Sequence, residues 1–138
     1  MRPITIMASV LSALLLSACA TMQNKNQLRD QTLDGYAAAL RWGGFHSGWS
    51  YVDPDVRAAH PLTPPQKALY NTVRIADYDT SGPVSTGTDT LEQTVQIELI
   101  AKSSQSVYSV VDHQHWRWDA KAKHWWLESG LPDITPNP

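Results

Sequence analysis

The sequence predicts an α+β domain in which N-terminal helices pack on an antiparallel sheet. Three observations carry this. Leu33, Tyr36, Ala37 and Leu40 recur at i, i+3, i+4 and i+7, which lays one apolar stripe along a helix. From Tyr70 onward the period changes to two: Val95, Ile97 and Leu99 alternate with Gln96 and Glu98, as in a half-buried strand. Every helical segment precedes every strand, and short polar turns join the strands, so the two kinds of element are segregated along the chain.

Ahead of this domain the chain opens Met1-Arg2-Pro3, a short positive start, and continues through a largely apolar run from Ile4 to Leu16. A bilayer-spanning helix needs about 20 apolar residues, so the run is too short for one. It fits the apolar core of a secretory signal, which runs about 7–15 residues. Leu16-Ser17-Ala18-Cys19 follows. This resembles the lipobox of bacterial lipoproteins: Leu, two small residues, then the cysteine that is acylated before cleavage. The resemblance implies a signal peptide over residues 1–18 and a mature chain that begins with lipid-modified Cys19. Two or three acyl chains give stable anchoring, where one binds only marginally. In enterobacterial lipoproteins Asp after the cysteine retains the protein at the inner membrane. Here the residue is Ala20, which implies the outer membrane, with the domain on its periplasmic face. Residues 19–26 read as a lipidated polar tether.

The domain proper spans residues 27–132. The helix expected over Gln27–Trp42 has Asp30 and Asp34 toward its start and Arg41 at its end, which suits the helix dipole, and Gly43-Gly44 stops it. Gly35 lies inside it at a cost of about 1 kcal/mol against Ala, which points to close approach by a neighbouring element. In the compact aromatic segment that follows, Trp49 and Tyr51 are candidates to pack on this first helix. Asp53-Pro54 and Thr63-Pro64-Pro65-Gln66 each combine a capping residue with proline in the first turn, and the second adds the Gln of a capping box. Two short helices are expected there. Strands follow around Val73–Ile75, Val95–Leu99, Val107–Trp118 and His124–Glu128. Thr80–Thr90, rich in Thr, Ser, Gly and Pro, reads as a long loop. Residues 133–138 read as a tail.

This plan, ending in His115-Trp116-Arg117-Trp118 and His124-Trp125-Trp126-Leu127-Glu128-Ser129-Gly130, resembles the NTF2-like (cystatin-like) superfamily. The resemblance implies a strongly curved antiparallel sheet that forms a cone under a long first helix. It implies no single activity, because that fold hosts isomerases, dehydratases and many non-catalytic domains.

Removing residues 1–18 leaves ten Lys/Arg against thirteen Asp/Glu. With no basic block, nucleic-acid binding has no support. Cys19 is the only cysteine, so once it is lipidated the fold holds without a disulfide. His113, His115 and His124 would share one strand face if a four-residue turn paired Arg117 with His124, and three imidazoles could then bind zinc. No Asp or Glu stands at a signature offset beside them, and neither a metal nor a cofactor is expected. Tyr36, Asp34, Asp77, Asp112 and His113 could serve catalysis inside a cone, yet none forms a motif, and no phosphate loop or nucleophile elbow occurs. Trp116, Trp118, Trp125 and Trp126 crowd eleven residues. They are either core pairs across adjacent strands or a platform for a partner. Consecutive Trp125 and Trp126 must face opposite sides of a regular strand. The expectation is a non-catalytic envelope lipoprotein that binds a protein partner or a small apolar ligand. The alternative is a periplasmic NTF2-like enzyme with a pocket inside the cone.

Overall fold

In the computed structural model, which describes residues 4–136, helices pack against a strongly curled antiparallel sheet, a half-barrel. Side chains are described from Asn24 onward, so Arg2 and the thiol of Cys19 lie outside the described set, as do residues 137–138 of the expected tail.

Helix α1 (Ile4–Gly43) is longer than its apolar stripe suggests. It runs without a break through residues 20–26, where the sequence suggested an extended tether. No Gly or Pro interrupts residues 4–34, and tertiary contacts hold the junction. Lys25 Nζ donates to Thr88 O and to Asp89 Oδ1, each at 2.6 Å, and Lys25 O accepts from Trp125 Nε1 at 3.2 Å. Leu33, Tyr36 and Leu40 are buried as the period requires. Gly35 has the expected use, since a Cβ there would lie 2.8 Å from Tyr51 Oη.

Gly44, at φ 76°, turns the chain into α2 (Phe45–Gly48) and a 3-10 turn over Trp49–Tyr51. The two capping signals then act as their residues specify. Asp53 accepts from Asp55 N ahead of α3 (Pro54–Ala59), and Thr63 with Gln66 forms a full capping box on α4 (Pro64–Asn71).

The sheet order is β1-β3-β4-β5, from β1 (Val73–Thr80), β3 (Thr90–Ala101), β4 (Val107–Asp119) and β5 (His124–Leu127). The segment expected to be a loop contains a two-residue strand, β2 (Val84–Ser85), which pairs with Leu91 and Glu92. A bulge at Ala76 shifts the β1 register between Ile75 and Asp77. It moves the inward side from odd to even positions, so that Tyr78 joins Val73 and Ile75 against the core.

Residues 133–136 are not a free tail. Ile134 is 1% exposed, and Pro132 is among the fully buried side chains. Tyr70 Oη donates to Pro132 O and Tyr108 Oη to Ile134 O, each at 2.9 Å. The final segment therefore belongs to the core, at the same end as Phe45, Tyr70 and Val73.

Candidate functional site

Three places on this frame bring chemistry-bearing side chains together. The first is the inner face of the sheet. Successive residues of β4 alternate sides, so Val110, Asp112, Gln114 and Trp116 point inward while Val111, His113 and His115 point to solvent. Gln114 is the hub. Its Nε2 donates to Asp112 Oδ2 at 2.8 Å and to Tyr78 Oη at 2.9 Å, and its Oε1 accepts from Trp116 Nε1 at 3.1 Å and Gln93 Nε2 at 3.3 Å. Burial pushes the Asp112 carboxyl up to about 6, against the bond from Gln114 and the nearby His113, which favour the charged form. Burial also takes the Tyr78 hydroxyl up to about 12. Tyr36 crosses the edge of Trp116 with ring centroids 5.3 Å apart, and its hydroxyl has no hydrogen-bond partner among the described residues. Burial, then the Asp112 charge, raises its pKa well above the ordinary value. Asp112, Gln114 and Tyr36 are 7%, 1% and 0% exposed, so solvent barely reaches this group.

The other sequence candidates for catalysis do not join it. Asp34 is exposed on α1. Asp77 is exposed on the outer sheet face opposite Glu98, and His113 faces outward, beside Thr94.

The histidines do share the outer face, but the register separates them. Asp119, not Arg117, pairs with His124, because the turn occupies residues 120–123. The shift of two positions preserves the side and moves His124 further from His115. His115 Nδ1 instead meets Glu92 Oε1 at 3.2 Å. No cluster of three metal-ligating side chains occurs among the described residues.

The second place is the corner where β4 and β5 meet the junction of α1. Trp118 and Trp125 pack with centroids 5.6 Å apart, and Lys25 Nζ lies 5.7 Å and 5.6 Å from their rings. A cation over an indole face is attracted by the ring quadrupole. Trp126 points to the outer face against His124, with centroids 4.1 Å apart. The four tryptophans thus divide. Trp116 is wholly buried and Trp125 is 4% exposed, so as positioned both serve the core rather than a platform. Trp118 and Trp126 keep partial exposure.

The third place is a cleft of about 290 Å³ at the far end of the domain, where α1 gives way to α2 beside the edge of β1. Arg41, His46, Arg74 and Lys102 line it with Trp42, which is 84% exposed. Sequence reading missed this group. Its members are scattered over residues 41–102, and only the sheet register, which sets Arg74 opposite Ile100, brings them together.

Comparison with protein-family models, with curated proteins and with solved structures finds no match. The three places therefore stand on their geometry alone. The inner group offers a carboxyl that titrates near neutrality but no exposed surface on which a substrate could land. The corner offers two partly exposed indoles beside the junction that leads back to Cys19. The far cleft offers charge and concavity together.

Proposed function

We propose that this chain is a non-catalytic lipoprotein of the cell envelope, with residues 1–18 removed as a signal peptide. Acyl groups on Cys19 hold it to the periplasmic face of the outer membrane. Its NTF2-like domain binds an envelope protein there. The curled sheet under a long first helix supports the NTF2-like assignment, and the Leu16-Ser17-Ala18-Cys19 stretch supports the anchor. No helix among the described residues is long and apolar enough to cross a membrane, which is compatible with attachment through lipid.

One observation carries the choice of binding over catalysis. The polar side chains inside the cone bond to one another and are sealed, with Gln114 meeting Asp112, Tyr78, Trp116 and Gln93. A catalytic group must come within hydrogen-bond reach of its substrate, and these are closed off by packing. Recognition then falls to the surface, where Trp118 and Trp126 remain partly exposed near the membrane-proximal end. Crosslinking in intact cells tests this reading. The wild-type chain captures a specific envelope protein, and Trp126→Ala loses it while keeping the same unfolding midpoint. Capture that is indifferent to Trp126→Ala and Trp118→Ala rejects the surface. Incorporation of labelled palmitate that persists in Cys19→Ser rejects the anchor.

The enzyme reading rests on a specific observation of its own: a carboxyl at about 6, Asp112, close to the unpartnered hydroxyl of Tyr36. Such shifted groups concentrate at functional sites. It requires the segment around Leu131–Ile134 to open. Turnover of a small substrate by the wild type, abolished in Asp112→Asn, would establish it and displace the binding role.

A further inference from the structure

We propose that the cleft at the far end of the domain is a binding site for a small phosphate-bearing anion. This goes beyond the envelope-protein reading and depends on neither the anchor nor the tryptophan corner. The charge distribution motivates it. The chain is net acidic, yet Arg41, Arg74 and Lys102 line one concavity, and Lys67 lines an adjoining cleft of about 250 Å³ that shares His46, Tyr70 and Asn71 with it. No carboxylate lines either cleft. Elsewhere Lys25 pairs with Asp89, Arg29 with Asp30 and Arg117 with Asp53 and Glu128, while Arg57, Lys121 and Lys123 have no ion pair among the described residues, so what sets this end apart is that its cations share a concave wall. None of the four at this end has a carboxylate within 4.0 Å among the described residues.

Helix-end electrostatics explain two of them. Arg41 suits the negative end of α1, and Lys102 Nζ reaches the last carbonyl of α4, Asn71 O, but Arg74 stands on β1, where no helix dipole calls for it. Gathering like charges in one concave wall is unfavourable until an anion arrives, and concave walls of one sign focus the field on that anion. Asp77 and Glu98 stand on the same outer sheet face as Arg74 but line neither cleft, and Asp133 lines a separate cleft with Leu131 and Thr135.

The donor set selects the ligand chemistry. Guanidinium groups present paired N–H donors that match phosphate oxygens, and lysine adds a point charge. Lys102 Nζ donates one hydrogen to Asn71 O at 2.9 Å, which holds the ammonium at the rim and leaves two donors free. Beside them, Trp42 offers an indole that is 84% exposed, with the Arg41 guanidinium 5.8 Å from its centroid. A volume of about 290 Å³ is at the small end of ligand pockets. The fitting class is a compact phosphoester, its phosphoryl group among Arg41, Arg74 and Lys102 and its sugar or glycerol face against Trp42.

Calorimetric titration of the full chain in a non-ionic detergent tests the site with two probes. Inorganic pyrophosphate represents soluble phosphoesters, and dihexanoyl phosphatidylglycerol, below its micelle concentration, represents a lipid headgroup. Saturable pyrophosphate binding that weakens with added salt is expected. The double variant Arg74→Gln/Lys102→Gln should weaken it by at least about tenfold, as expected for lost charged hydrogen bonds, with the unfolding midpoint unchanged. Trp126→Ala and Cys19→Ser should leave it intact, which separates this site from the partner surface and the anchor. Tighter binding of the lipid than of pyrophosphate, lost in the same double variant, would assign the phosphate to a headgroup; the reverse order would assign it to a soluble ester. Absence of binding by both probes at about 5 mM, weaker than a Kd worth about 3 kcal/mol, overturns the site. So does affinity that the double variant leaves unchanged.

Discussion

The two ends of the domain use their cations in opposite ways. At the end beside the α1 junction, Lys25 is fixed by two oxygens at 2.6 Å and lies over two indoles, and the tryptophans there pack on each other. At the far end Arg41, Arg74 and Lys102 have no carboxylate partner among the described residues, and Trp42, with the Arg41 guanidinium 5.8 Å from its ring, is 84% exposed. The first arrangement is what a fold does with charge for its own stability. The second leaves positive charge without a carboxylate and an indole largely open to solvent, and it is there that an outside ligand has something to gain.

Deleting core side chains at both ends is the largest perturbation that sharpens this contrast. Trp125→Ala removes a ring that is 4% exposed and the donor to Lys25 O. Chemical denaturation should show a loss of about 3–5 kcal/mol. Leu40→Ala and Ile134→Ala, at 1% exposure each, should cost about 2–5 kcal/mol. A loss under about 0.5 kcal/mol for Ile134→Ala, the range of ordinary surface changes, would mean that the final segment does not close the core in solution.

Between the ends lies Asp112, whose folded-state pKa of about 6 exceeds the ordinary 3.8. The fold therefore favours the neutral carboxyl. Below the unfolded value both states are protonated and burial carries no ionic penalty. The penalty grows as pH rises from about 4 to about 6 and then levels off near 3 kcal/mol. Asp112→Asn keeps an acceptor for Gln114 and removes the charge. Its stability advantage over wild type should be small at pH 4 and approach that figure at pH 7. An advantage that does not change with pH would refute the buried ionisable group.

The smallest effects compare the two sets of cations directly. Lys25→Met should cost up to about 1 kcal/mol, as for a partly exposed ion pair. Arg74→Gln should fall within about 0.5 kcal/mol, since it breaks no ion pair. Equal losses from both would erase the distinction between charge paired with a carboxylate and charge without one.

The periodic and capped parts of the fold were legible in the sequence because their signals are local. The stripe from Leu33 to Leu40 sets one face of a helix, Thr63 with Gln66 fixes a helix start, and the alternation over Val95–Leu99 fixes a strand and its sides. What was not legible depends on distant contacts. Ile134 is flanked by Asp133 and Thr135 and carries no period, so nothing near it in the chain reveals that Tyr70 and Tyr108 hold its surroundings in place. Residues 20–26 are ordinary polar sequence until Asp89 and Trp125 meet them. The extra residue at Ala76 reverses the inward side of β1, and the turn at residues 120–123 displaces His124 from His115. Of the candidate sites, the tryptophan pair at 125 and 126 was readable as one inward and one outward ring. The far cleft was invisible, because Arg41, Arg74 and Lys102 become neighbours only through tertiary pairing.

The unbroken helix α1 has a mechanical consequence. From Cys19 to Gly43 it extends about 36 Å at the usual rise, so a pull at its N-terminal end travels along the axis as through a strut. Leu33, Tyr36 and Leu40 would then be loaded together, in shear, instead of being peeled away one turn at a time. A flexible coil over residues 20–26 would absorb the same displacement as slack. In a single-molecule pulling experiment the domain should therefore yield in one abrupt event at high force, and inserting two glycines between Asn24 and Gln27 should insert a compliant stretch ahead of it.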